Sequence, residues 1–448
     1  MMHDLVHQLK QLDPAPEDSL TGLDEAAFEE VRRGVLATPR PATPHLTREG
    51  RGRWLAVAAA AAAVVTSLAL LWPRAGAGPL PAEPAASPSD TTSASTSGLP
   101  RDTWVRIADA PLSPRHASVT AWVDGVFLVV GGDETAPCPA TADCIEPEHL
   151  VADGARYDPA TDAWTPIADA PAAVANPSGA SNPYPQSAVL AGTLYVLGER
   201  SMLAYDVASD SWRKLPLPSN SPVLTLVGLD SGLAAFGYDA PTGGYELFDP
   251  GTGQWTGHDA PGLPGPIGGA TVAAGRLVVS GLVDGDLTRP WTALLDPATG
   301  ATTRIEDPGL EPQRPAPVGL ETSAGGRAVW ARAKATAWLL DPATQQWTSV
   351  DVPEHTGAFS GRLAMLPVSF YVTVAGMVSL NGHLYDPVSG LWSATPDLPL
   401  PSDSPVLAAG GDTVLACYGY VYSEDAAEAG FGDDCYLLRP GPATRGTP

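Results

Sequence analysis

Eleven carboxylates crowd into two short stretches of this 448-residue chain. The first, "DETAPCPATADCIEPEHLVADGA" at 133–155, carries Asp133, Glu134, Asp143, Glu146, Glu148 and Asp153. The second, "SEDAAEAGFGDD" at 423–434, carries Glu424, Asp425, Glu428, Asp433 and Asp434. Carboxylates on flexible segments suit a hard cation such as Ca²⁺, which takes about six to eight oxygen ligands. They equally suit a basic protein or peptide, which the field would steer in. Plain solvated surface is the third reading, because the whole chain carries a net charge of −25. Neither stretch has EF-hand spacing, so no metal ligands are assigned, and Ca²⁺ at these loops is the only cofactor to consider. The same charge argues against a nucleic-acid partner, which calls for a basic footprint.

The four cysteines, Cys138, Cys144, Cys417 and Cys435, lie in or beside these stretches. Four cysteines allow three pairings. Cys138–Cys144 would close a small ring within the first stretch, and Cys417–Cys435 would clamp the base of the second; these are the favoured pairs. Other reactive residues are scattered. His116, His149, His258, His355 and His383 fall at unrelated points of the chain. No His-Glu-x-x-His, Cys-x-x-Cys or Gly-x-Ser-x-Gly motif occurs. No catalytic residue is assigned.

What must position the acidic stretches is a repeat. "YDPATDAWT" stands at 157–165, "FDPGTGQWT" at 248–256, "LDPATQQWT" at 340–348 and "YDPVSGLWS" at 385–393. "YDVASDSWR" at 205–213 and "LDPATGATT" at 295–303 are looser copies, the latter with Thr302 in place of Trp. Successive aromatic positions are 48, 43, 47, 45 and 45 residues apart. Asp and Pro start a turn, because Asp bonds its own backbone and Pro presets φ. The Trp then opens the next strand. Upstream, "AWVDGVFLVVGG" at 121–132 holds two apolar runs joined by Asp-Gly, a hairpin signal. Four strands per repeat at a period near 45 predict the blades of a β-propeller.

"PRHASV" at 114–119, the double glycine Gly131-Gly132, Tyr157 and Trp164 resemble a kelch repeat. The resemblance covers roughly residues 101–440 and implies an all-β propeller with His116 in a structural role. Later copies erode the glycine pair to "VLG", "AFG" and "VSG", and "VWA" at 329–331 loses it. The repeat tryptophans are Trp104, Trp164, Trp212, Trp255, Trp347 and Trp392. "WVRIADAP" at 104–111 matches "WTPIADAP" at 164–171, so Trp104 belongs to a fourth strand with no strands before it. "CYLLRP" at 435–440 matches the third strand "AWLLDP" at 337–342, and no Trp follows. The two orphans complete each other and predict seven blades, the last built from 404–438 and 103–107. Kelch propellers include copper enzymes such as galactose oxidase, so an extracellular carbohydrate-active enzyme is the alternative to a binding scaffold. The scattered histidines count against it.

The first hundred residues stand outside the repeat. Residues 54–72, "WLAVAAAAAAVVTSLALLW", contain no charge. As a helix, 19 residues span about 28 Å, close to a hydrocarbon layer of about 30 Å. Arg48, Arg51 and Arg53 precede the run and only Arg74 follows closely, which places the N-terminus in the cytoplasm. Residues 1–53 then form a cytoplasmic tail with one short amphipathic helix within 19–38. Residues 73–100 are a Pro/Ala/Ser/Thr-rich linker, and 441–448 a disordered end.

The expected whole is a cell-membrane protein with a single span at 54–72. Its seven-bladed propeller lies outside the cell and binds a protein or glycan through the loops of one face. Protease added to intact cells should remove residues 101–440 and spare the N-terminal tail. A propeller cut only after lysis would overturn this topology.

Overall fold

The recurring Asp-Pro turns are built by their aspartates. Oδ1 of Asp158, Asp249, Asp296, Asp341 and Asp386 accepts the backbone N–H two residues on, at 2.8–2.9 Å. In four of these turns Oδ2 also accepts the hydroxyl of Thr161, Thr252, Thr299 or Ser389. These bonds hold the Asp249, Asp296, Asp341 and Asp386 carboxyls below their ordinary value, against burial. The residue two before each aromatic position then turns left-handed. Its φ is 49° at Asp162, 47° at Asp210, 69° at Gly253, 71° at Gly300, 59° at Gln345 and 70° at Gly390. Gly, Asn and Asp tolerate that region best, which accounts for most of the residues found there.

A computed structural model describes residues 98–442 except 139–147, 176–185, 220–222, 238–243, 284–288, 307, 309–321, 332–335, 354–372, 381–382, 394, 400–401, 404 and 423–428. The turns join strands three and four in six of seven antiparallel four-stranded sheets. Blade 1 comprises Val119–Val123, Val126–Asp133, Leu150–Asp158 and Ala163–Pro166. Blade 2 comprises Ser187–Leu190, Thr193–Leu197, Met202–Asp206 and Ser211–Leu215. Blades 3 to 6 repeat the plan, starting at Val223, Ile267, Thr322 and Thr373. Blade 7 takes Val406–Gly410, Thr413–Cys417 and Cys435–Leu438 from the end of the chain and Trp104–Arg106 from before blade 1. Trp104 pairs with Leu438 and Arg106 with Tyr436. First strands touch their neighbours from blade to blade around a full circle. The described residues thus form an all-β, seven-bladed propeller closed by Trp104–Arg106.

Hairpins between strands one and two use two-residue turns with both φ positive, at Asp124-Gly125, Ala191-Gly192, Ala274-Gly275, Gly325-Gly326 and Ala375-Gly376. That twist matches the strands it joins. Five of the repeat tryptophans tie their blade to the one before. The indole N–H of Trp164 donates to the Ala108 carbonyl (2.9 Å), Trp212 to Ala168 (2.7 Å) and Trp255 to Pro216 (2.8 Å). Trp347 reaches Glu306 (3.0 Å) and Trp104 reaches Pro396 (3.0 Å). Each carbonyl lies just past the previous blade's fourth strand, so one side chain both packs and stitches. Between blades 7 and 1 the core holds Phe127, Val129 and Tyr157 against Leu415, Tyr418 and Leu437.

One feature departs from expectation. The stretch at 423–434 is not simply a loop. Tyr420–Tyr422 and Ala429–Phe431 form a hairpin that joins Ser402–Asp403 in a separate three-stranded sheet. The sequence hid this because its strands are only two or three residues long. The expected tail helix, the apolar run at 54–72, the linker up to residue 97 and the end at 443–448 lie outside the described residues. Among the described residues no helix is long and apolar enough to cross a membrane.

Trp104 combines ring closure, burial and an inter-blade bond. Trp104→Ala is therefore expected to lower stability by about 3–5 kcal/mol. Urea unfolding followed by circular dichroism measures this; a loss below about 1 kcal/mol would remove Trp104 from the closure.

Candidate functional site

In an antiparallel four-stranded blade, loops between strands two and three share one end of the sheet with the links between blades. The two acidic stretches are loops of that kind, in blades 7 and 1, which adjoin. At their junction lies Arg115, with no solvent exposure at all. Its Nη1 and Nη2 grip Asp153 bidentately at 2.6 and 3.1 Å. Nη2 also donates to Glu134 (3.0 Å) and to Ser113 Oγ (2.7 Å), while Nε donates to the Ser113 carbonyl (2.8 Å). Ser113 Oγ in turn donates to Glu134. The guanidinium holds the Asp153 carboxyl below its ordinary value, with burial opposing.

The double glycine has no room for side chains, and Gly132 lies against the Arg115 stem. Gly131 and Gly132 have φ of 59° and 117°. A Cβ on Gly132 would lie 2.6 Å from Ser118 Oγ and 3.1 Å from Arg115 Cδ, and one on Gly131 would lie 2.0 Å from the Val174 carbonyl oxygen. Only glycine permits both the backbone turn and the approach.

Beside Arg115, Asp133 is buried and its Oδ1 accepts three hydrogen bonds. They come from the Thr135 N–H (2.9 Å), the Thr135 hydroxyl (2.6 Å) and the His149 N–H (3.0 Å). Burial opposes ionisation, but these bonds outweigh it and hold Asp133 below its ordinary value. His116 Nε2 lies 3.4 Å from Asp133 Oδ2, and His149 Nδ1 lies 3.3 Å from Glu134 Oε2. Across the junction the His116 ring meets Tyr420 at 4.8 Å and Phe431 at 6.1 Å. Tyr418, fully buried with φ of 57°, reaches the Leu112 carbonyl at 3.4 Å. Cys417 and Cys435 form a disulfide directly beneath the hairpin. Cys138 is also disulfide-bonded, while its expected partner Cys144 lies outside the described residues.

The structure brings Asp133, Glu134 and Asp153 together around two histidines and an arginine. Asp434 sits apart from them, paired with Arg106 at 2.7 Å. Glu148 and Asp433 are described; Asp143, Glu146, Glu424, Asp425 and Glu428 are not. The rim is therefore less one-sided than its acid count suggests, since Arg115 and Arg106 offset part of the repulsion. Both arginines were visible in "PRHASV" and "WVRIADAP", but nothing in sequence said that they would meet acids 38 and 328 residues away. Among the described residues no group of three or more His, Cys, Asp or Glu side chains could hold a metal ion. Of the other histidines beyond residue 100, His258 stacks on Tyr245, His383 is buried beside Trp392, and His355 lies outside the described residues. No protein-family model matches the chain, and no curated protein matches it significantly.

Arg115→Met would strand two carboxylates. A loss of about 3 kcal/mol is expected, at the low end for a broken buried pair because Asp153 keeps 43% exposure. Asp153 is depressed in the folded state, so the pair stabilises fully above the ordinary carboxylate range of about 4 and fades as pH falls through the folded value. The gap in stability between wild type and variant, read by urea titration, should accordingly shrink below about pH 4. An unchanged gap would mean that packing, not charge, holds Arg115.

Proposed function

We propose that this protein is a kelch-type propeller that serves as a recognition scaffold. The membrane run at 54–72 tethers it, and the ring lies outside the cell. It engages a protein or glycan ligand through the face bearing the long loops of blades 7 and 1. The observation that carries the reading is the braced junction: two elaborated loops share one base of buried Arg115, stacked His116 and a disulfide. Binding loops held on a rigid base lose less freedom when a partner docks. Disulfides also suit an oxidising compartment. Glu148, Asp433 and the acids of 139–147 and 423–428 are the proposed contacts, because Asp133, Glu134, Asp153 and Asp434 already serve the base.

The partner chemistry that fits is cationic: a basic protein segment, or Ca²⁺ bridging to a glycan. Replacing Glu148, Glu424, Asp425 and Asp433 with Gln or Asn leaves the braced acids in place. In the full-length chain, wild type should bind a lysine-rich peptide with affinity that falls as salt rises, or show a Ca²⁺-dependent rise in Tm. The fourfold variant should lose the effect. Wild type showing neither response would end the proposal.

A further inference from the structure

Among the described residues, His116 is a titratable group whose ring joins blade 1 to the blade 7 hairpin. Tyr420 and Phe431 pair across that hairpin with ring centroids 5.5 Å apart, so both strands rest on one imidazole. The His116 ring is 4.8 Å from Tyr420 and stacks on Phe431 at 20°. Its backbone is fixed to blade 1, since His116 and Asp133 exchange N–H to carbonyl bonds of 3.0 and 2.9 Å. Among the described residues, the charged groups acting on the ring lie on blade 1: Asp133, 3.4 Å from Nε2, and Glu148. Of the hairpin residues whose side chains are described, Tyr420, Val421 and Ala429–Phe431, none is charged; the adjoining strand of the same sheet pairs Asp403 with Tyr420.

We infer that His116 is a pH-sensitive latch that seats the blade 7 hairpin against blade 1 while neutral and lets it loosen when protonated. The neutral ring belongs to an aromatic contact, whereas an imidazolium in the same place gives up hydration. Asp133 and the ring faces of Tyr420 and Phe431 return part of that cost. Burial keeps the His116 pKa below its ordinary 6.5, although Asp133 and Glu148 pull upward. With the hairpin loosened the imidazole regains water and takes its proton at the higher pH. Docking is therefore strongest above about 6.5, weakens as pH falls through that value, and levels off below the docked pKa. This latch needs no ligand, so it stands or falls separately from the proposed function.

Hydrogen exchange on the full-length chain tests it, comparing wild type with His116→Phe at pH 7.5 and pH 5. Because both proteins share intrinsic exchange rates at each pH, the ratio between them isolates the histidine. Peptides covering 419–432 should exchange alike at pH 7.5. At pH 5 wild type should exchange several-fold faster there, since each pH unit between the two titrations is about a tenfold change in population. Peptides from blade 3 should show no such change. His116→Gln, which also cannot charge, should behave like His116→Phe and serves if that variant fails to fold. An equal ratio at both pH values, or a loss of protection spread evenly around the ring, would overturn the latch.

Discussion

A ring of twisted sheets is stable only if its last sheet meets its first, and here that depends on one short antiparallel pairing. Trp104–Arg106 lies along Cys435–Leu438. Without it, blade 7 would expose an unpaired third strand, an edge open to any passing chain. The pairing is reinforced at both ends. Asp102 donates its N–H to the Arg439 carbonyl (3.0 Å), and its side chain accepts the Gly441 N–H (2.6 Å). Arg106 bonds Asp434, and the Ile107 N–H bonds the Cys435 carbonyl. Three residues make a weak strand alone. Buried Trp104 and these flanking bonds make it a sufficient one.

The elaborated site lies beside this closure. Blade 7 contains the seam, and the link from its closing strand to blade 1 carries Ser113, Arg115 and His116. The same segment thus closes the ring and supplies the base of the acidic face. The energetic problem there is charge. Carboxylates gathered at one junction of a protein with net charge −25 repel, and a buried guanidinium would be costly alone. Each offsets the other, because Arg115 is bidentate to Asp153 and also bonds Glu134. Gly132 lies against the Arg115 stem, so this glycine serves the electrostatics of the junction as well as the backbone.

The repeat itself was legible because its causes are local. An aspartate that bonds the N–H two residues on, a left-handed residue and a tryptophan are fixed by a few neighbouring side chains. They recur at the same spacing wherever a blade is built. Blade count and seam followed from matching Trp104 and Cys435–Leu438 to their siblings, since each blade needs four strands. The two-residue turns at Ala191-Gly192, Ala274-Gly275 and Ala375-Gly376 were less visible, because alanine rarely adopts positive φ and gives no turn signal.

The sequence by itself therefore determined the architecture, the seven-bladed ring and its closing strand, and it favoured the pairing of Cys417 with Cys435 that the structure shows. Only the tertiary structure decided which acids are spoken for. Asp153 meets Arg115 across 38 residues and Asp434 meets Arg106 across 328. His116 meets Tyr420 and Phe431 across the seam. Such contacts depend on how the last sheet lies against the first. That placement comes from the twist and packing of the whole ring, and no local window of sequence contains it.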